Sequence, residues 1–175
     1  TNTDITDYAT VWEEFKKGDR NAFSVLYENH FDVLYRYGMK FISDEEIVKD
    51  CIQDLFVKLY NNRETIAAIT NPKFYLLFSL KNLIIDHLAR YNRMTYISPE
   101  ELPFIVTYQF TTQDDSNEID DETKAKFEKV ISLLNPRQEE ALYLRFQLEL
   151  SYEEVSQLLG INYQSTRNLI HRAIM

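Results

Sequence analysis

Residues 151–175 read Ser151-Tyr-Glu-Glu-Val-Ser-Gln-Leu-Leu-Gly160-Ile-Asn-Tyr-Gln-Ser-Thr-Arg-Asn-Leu-Ile-His-Arg-Ala-Ile-Met175, and the punctuation of this stretch decides the fold. Ser151 and Glu154 stand three apart, the spacing at which each side chain can bond the other's backbone N–H at a helix start. Val155, Leu158 and Leu159 then supply an apolar stripe, and Gly160 sits where a left-handed residue would end the helix. A second helix is predicted from about Tyr163, with Ile161, Thr166, Leu169 and Ile170 inward and the small Ser156 where the two helices cross. This is a helix-turn-helix pattern. Its outward face holds Asn162, Gln164, Ser165, Arg167, Asn168, His171 and Arg172, without an acidic side chain. Amides and arginines suit base edges; hydroxyls and arginines suit phosphates. The contact candidates are Ser165, Thr166, Arg167, Asn168, His171 and Arg172.

Working backward, Asn135 and Pro136 read as cap and first residue of a helix carrying Ala141, Leu142 and Phe146. Before it, Phe127, Val130, Ile131 and Leu134 mark a helix from near Asp121. Residues 95–121 show no sustained helical period. They hold Pro99, Pro103 and the acidic Asp114, Asp115, Glu118, Asp120 and Asp121, and from Ser98 to Glu122 there is no Lys or Arg. That composition predicts a linker. Phe104, Ile105, Val106, Tyr108 and Phe110 are too apolar for a freely solvated one, so docking on a partner is expected.

The first half reads as four amphipathic helices. Tyr8, Trp12 and Phe15 mark a short one; Phe23, Leu26, Tyr27, His30, Phe31 and Leu34 mark a longer one. Ser43 and Glu46 form a capping-box pattern before a third, with Ile47, Cys51, Leu55 and Leu59 inward. Asn71 and Pro72 open a fourth, whose apolar side is Phe74, Leu77, Phe78, Ile84, Ile85 and Leu88. The expected architecture is all-α: a domain over 1–94, an acidic linker over 95–121, and a helix-turn-helix domain over 122–175.

Composition agrees. Three glycines and four prolines in a 175-residue chain that is 45% hydrophobic favour helices over a turn-rich sandwich. The single cysteine, Cys51, excludes an internal disulfide framework and a cysteine zinc cluster. No apolar run approaches the roughly 20 residues of a membrane span, so a soluble, cytoplasmic protein is expected. Net charge is −9, the wrong sign for tight DNA binding by overall field, but much of it falls in the linker. No catalytic or metal-ligating set emerges: His30, His87 and His171 are scattered, and no phosphate-binding glycine loop or nucleophile motif is present. No cofactor is expected.

On the fourth predicted helix, Asn82, Asp86 and Arg90 are spaced by four and form one polar stripe, with Lys81, Arg93 and Tyr91 at its edges. Such a stripe can meet a phosphate backbone and unpaired bases. At this point the chain resembles a known family. The run Glu46-Ile-Val-Lys-Asp50-Cys-Ile-Gln53-Asp54-Leu-Phe56-Val-Lys-Leu59-Tyr is similar to the core-polymerase-binding helix of sigma factors. Phe74 to Arg90 is similar to their promoter-melting helix. Leu134-Asn-Pro-Arg-Gln-Glu-Glu-Ala-Leu142 and Leu150-Ser-Tyr-Glu-Glu-Val-Ser-Gln-Leu-Leu-Gly160 resemble the family's other DNA-binding domain. Having only the two end domains matches the extracytoplasmic-function group.

The resemblance implies a non-enzymatic sigma factor that directs promoter recognition and opening. Asp50, Gln53, Asp54 and Lys58 would dock on the coiled coil of the polymerase's largest subunit, and the second domain would meet the flap of the second-largest. Lys81, Asn82, Asp86, Arg90 and Arg93, with the loop Asn62–Thr70, would engage the minus-ten element as it opens, the loop accepting an extruded base. The last helix would read the minus-thirty-five element. An anti-sigma factor or other recruiter is the implied regulator. Few aromatics on the polar side of the melting helix imply modest melting and stringent promoter choice. Relatives usually continue past the recognition helix into a basic tail. The competing expectation is a regulator that binds an operator without core polymerase.

Overall fold

A computed structural model of the protein describes residues 8–92, 97–98, 101–106 and 121–175. All secondary structure among the described residues is helical, and the chain divides into two compact units, Thr1–Ile97 and Ser98–Met175. The acidic run Asp114–Asp120, Tyr108, Phe110 and Arg93 lie outside the described residues.

The first unit holds α1 (Tyr8–Lys16), α2 (Arg20–Gly38), α3 (Glu45–Asn62) and α4 (Pro72–Tyr91). Each of the three longer helices starts on a side-chain cap. Asp19 accepts from the Ala22 N–H, Asp44 from Glu46 and Ile47, and Asn71 from Phe74, with Pro72 in the first turn. Caps of this kind contribute about 1 kcal/mol each. For α3 the cap is Asp44, one residue later than the expected Ser43, because the Asp carboxylate reaches the two N–H groups itself.

α4 is the central helix. It packs on α2 and α3, and its Tyr75 ring meets Trp12 of α1 at 5.7 Å. Leu76, Leu77, Leu80 and Ile84 of α4 are fully buried, as are Leu26, Leu34 and Tyr37 of α2 and Ile52 of α3. Each such aliphatic side chain stabilises the fold by about 1.5–3 kcal/mol. Ile47, expected inward, is only half-buried, and its neighbour Val48 takes the core position.

The second unit holds α5 (Asp121–Ile131), α6 (Pro136–Leu142) running into a π-helical turn (Tyr143–Gln147), α7 (Tyr152–Leu159) and α8 (Tyr163–Ile174). Asn135 with Gln138, and Ser151 with Glu154, form reciprocal capping boxes, while Gly160 ends α7 at φ 64°. The π-helical turn rotates the chain off the ordinary helical period. Phe146, expected inward, is consequently 58% exposed, whereas Tyr143, Leu144 and Leu148 are buried. Side chains on α5 include the exposed Val130; that of Phe127 lies outside those described.

Residues 101–106, expected in the linker, are grouped with this second unit. Leu102 and Phe104 are buried, and the Phe104 ring meets Tyr143 at 5.7 Å. The Val106 backbone also bonds the Glu139 carboxyl, whose pKa burial raises and this bond lowers in part. So at least this part of the apolar run docks on the chain's own second unit.

Candidate nucleic-acid interface

In the first unit two surfaces flank α3. On the α4 side, Leu55, Lys58, Leu59 and Asn62 of α3 face Tyr75, Ser79, Asn82, Leu83 and Asp86 of α4 around a groove of about 300 Å³. Its floor is leucine and its rim is amide, hydroxyl, ammonium and carboxylate. One turn further, Asp50 and Asp54 of α3 face His87 and Arg90 of α4 across a smaller recess of about 220 Å³, with the buried Cys51 in its wall. Burial raises the Cys51 thiol pKa, and Asp54 and Asp50 add to this while Arg90 opposes it. The buried thiol is therefore protonated and inert at neutral pH.

The expected stripe of Asn82, Asp86 and Arg90 is present and exposed. Arg90 folds along its own helix, its Nε donating to the Asp86 carbonyl at 3.1 Å. Lys81 corrects the expectation of a DNA contact: it is 4% exposed, and its Nζ lies 5.8 Å from the Phe41 ring centroid. Position 81 falls between Leu77 and Ile84 on the inward stripe, so a helix packed on several sides has drawn in a long cationic side chain along with its neighbours.

Structure joins residues that sequence assigned to different partners. Asp50, Asp54 and Lys58 share the α3–α4 seam with the stripe, whereas Gln53 lies on the other side of α3. There, Phe23, Tyr27, Phe56, Val57 and Tyr60 line an open, mainly apolar groove of about 700 Å³ between α2 and α3, with Val57 52% exposed. The sequence does not signal this surface: Phe23 and Tyr27 are expected on the apolar side of their helix, and Phe56, Val57 and Tyr60 carry no expectation beyond the family-like run. Tyr75 and Ser79 also lie outside the expected site, although continuing the stripe backward from Asn82 by three and then by seven residues reaches both.

In the second unit, α8 packs on α6 and α7 through Thr166, Ile170 and Ala173. Ser165, Arg167, Asn168, His171 and Arg172 are all exposed on the opposite side. Thr166 is not a contact residue: it is 0% exposed, and its hydroxyl donates to the Asn162 carbonyl at 3.1 Å. Asn162 serves as N-cap, accepting from the Ser165 N–H, so its side chain is committed to the helix end. Gln164 donates to Asn168 at 3.1 Å, which holds the Asn168 amide in one orientation.

The frame behind α8 is fixed by two arginines. Arg137 donates to the Leu159 carbonyl, tying α6 to the end of α7. Arg145 donates to the Leu150 carbonyl and stacks on Tyr152, whose ring meets Tyr163 at the start of α8.

Among the described residues no helix is long and apolar enough to cross a membrane, and no three His, Cys, Asp or Glu side chains gather as a metal set. The fold is that of a helical protein in two compact units, the second built around the helix-turn-helix of α7 and α8. Two family models match it in order: Sigma-70 region 2 over residues 26–94 and Sigma-70, region 4 over residues 124–175.

Named relatives agree. The extracytoplasmic-function sigma factor BldN of Streptomyces coelicolor is 22% identical over 93% of this chain, a match spanning 61% of BldN, which is under two thirds of its length. RNA polymerase sigma factor YlaC of Bacillus subtilis is 26% identical over 88% of each chain, and SigM of the same organism 22% over 85% of this chain and 88% of its own. By fold the chain is similar to CnrH, solved with the cytosolic domain of CnrY, at a TM-score of 0.61, 18% identity, and coverage of 95% and 91%. It is also similar to the sigma factor RpoE of Bartonella quintana, solved with the anti-sigma factor NepR, at 0.59, 20% identity, and coverage of 87% and 91%. The chain belongs to the sigma-70 family of RNA polymerase sigma factors, in its extracytoplasmic-function group.

Proposed function

We propose that α3 docks on core RNA polymerase, that the α3–α4 groove receives a base extruded from the minus-ten element, and that α8 reads the minus-thirty-five element in the major groove. The observation that carries this reading is the groove itself. Lys58, Asn62, Tyr75, Asn82 and Asp86 converge over a leucine floor, a lining able to stack and hydrogen-bond one unpaired base. Its volume lies at the lower end of the range for small-ligand sites. Unstacking a base costs a few kcal/mol, and a site that binds the flipped base repays that cost only where the base fits.

Core docking draws on both sides of α3. Asp50 and Asp54 offer charge to a basic partner, while Gln53, Val57 and the aromatic groove beside them offer area to desolvate. On α8, Arg167 and Arg172 hold phosphates, and Asn168, Ser165 and His171 meet base edges. Each unit is a modest binder alone; held together on the polymerase, the second contact forms at high effective concentration. The chain's work is recognition, the covalent chemistry belongs to the polymerase, and the chain acts in the cytoplasm where that enzyme works. A regulatory partner of the anti-sigma class would silence it by covering the α3 or α8 surface.

The test separates docking from opening. Asp54→Arg abolishes association with core polymerase, whereas Asn82→Ala keeps association and lowers promoter opening about tenfold, the scale of one base contact. Normal transcription from both variants, with start sites mapped on genomic DNA, refutes the assignment.

A further inference from the structure

Arg63 follows α3 directly, at its C-cap. Its guanidinium lies over the Tyr60 ring at 4.5 Å, and its Nη1 donates to the Tyr60 carbonyl at 2.9 Å. Nη2 stands 3.4 Å from a Glu64 carboxylate oxygen. The side chain is only 24% exposed, and its Nε is buried without a hydrogen-bond partner. Gly18, in the turn between α1 and α2, provides the opposing surface: a Cβ placed there would lie 3.6 Å from Nε and 3.9 Å from Nη2. That turn has φ +94°, a conformation that glycine adopts without strain. A surface arginine ordinarily keeps its head in water. This one is wedged between the end of one helix and a turn distant in sequence, leaving a buried donor unused, an arrangement that persists only where the surroundings hold it.

The preceding residue, Asn62, lines the α3–α4 groove. Its carbonyl accepts from the Thr65 and Ile66 backbone N–H groups and from the Thr65 hydroxyl, while its own amide donates to the Lys58 carbonyl. Residues 62–66 thus form one hydrogen-bonded turn with the groove wall at Asn62 and the anchor at Arg63.

We propose that Arg63 is a positioning residue for base capture: by clamping the start of the loop to Tyr60 and to the Gly18 turn, it fixes the Asn62 wall at the spacing that admits an extruded base. This rests on the base-capture reading above and extends it, because it makes the α1–α2 turn part of the opening apparatus.

The experiment uses holoenzyme reconstituted from the full chain and core polymerase. The probe is a single-stranded oligonucleotide spanning the minus-ten element of a promoter mapped from the holoenzyme's own transcripts, intact or with an abasic site at each position in turn. Wild type loses affinity about tenfold when the captured position is abasic, the scale of one stacked base. Arg63→Ala associates with core as wild type does, binds the intact strand about tenfold more weakly, and no longer distinguishes intact from abasic, which is the coupling a double-mutant cycle measures. Arg63→Lys keeps the charge without the planar fork and recovers less than half of the discrimination. Equal weakening by Arg63→Ala on intact and abasic strands means a merely structural role and overturns the proposal. Should Arg63→Ala fail to fold, full discrimination by Arg63→Lys overturns it as well. If wild type distinguishes no position, base capture itself is refuted, an outcome distinct from failure at Arg63.

Discussion

Helices α4 and α8 both carry the polar stripes we propose meet DNA, yet a polar side chain predicts exposure far better on one than on the other. α8 is 12 residues long and buries a single stripe, Thr166, Ile170 and Ala173. Five of its six expected contacts are exposed. α4 is 20 residues long, lies against α1, α2 and α3, and buries residues around much of its circumference, Lys81 included. A peripheral helix sorts residues by type; a central helix sorts them by angle, and a long aliphatic stem can be taken inward with its charge.

The strongest way to break that contrast is on α8. Arg167→Glu with Arg172→Glu should weaken holoenzyme binding to duplex carrying the upstream element by about 100-fold and flatten the salt dependence by about one unit of slope per lost phosphate contact. An unchanged slope, measured by anisotropy across a salt series, would mean these arginines do not meet phosphate. On α4 the opposite result is expected at Lys81. Lys81→Met, of similar length, should leave promoter opening within about twofold of wild type and cost less than about 1.5 kcal/mol of stability. A tenfold loss of permanganate-detected opening would restore Lys81 as a DNA contact. Thr166→Val removes a buried hydroxyl that bonds the Asn162 carbonyl and should cost about 1 kcal/mol in urea unfolding without altering preference among upstream sequences.

A smaller effect concerns pH. His30 is buried in α2 against the Tyr8 ring, its Nδ1 2.8 Å from the Leu26 carbonyl. Burial lowers its pKa from the ordinary 6.5, the Leu26 carbonyl opposes this, and Lys73 adds to it. The folded state therefore disfavours the proton that the unfolded chain accepts. Its contribution is intact above pH 6.5 and is lost as pH falls from there through the lowered folded value. Urea midpoints at pH 5 and pH 8 should differ less for His30→Phe than for wild type; equal differences would remove His30 from the account.

Most helix starts were legible because caps are local chemistry. Asn71-Pro72, Asn135-Pro136, Ser151 with Glu154, and Gly160 all act where their residue types suggest. At Ser43 and Glu46 the pattern matched but a better-placed Asp44 took the role. What local reasoning could not reach was set by packing between distant segments. The return of Leu102 and Phe104 onto the second unit, the burial of Lys81, and the Arg63 wedge each depend on a neighbour far away in sequence, and the π-helical turn that leaves Phe146 exposed breaks the ordinary helical period. The candidate site was legible as a list of residues on α3, α4 and α8; that α3 and α4 form one groove was not.

The central claim is that this chain reads promoters only as part of a polymerase. The most direct measurement is the affinity of the purified full chain for a mapped promoter duplex and for an unrelated duplex, with and without core RNA polymerase, at one fixed salt concentration. The account predicts little discrimination by the chain alone and strong discrimination once core is added. Tight, selective binding without core, unchanged on adding it, would contradict the account and favour an operator-binding regulator.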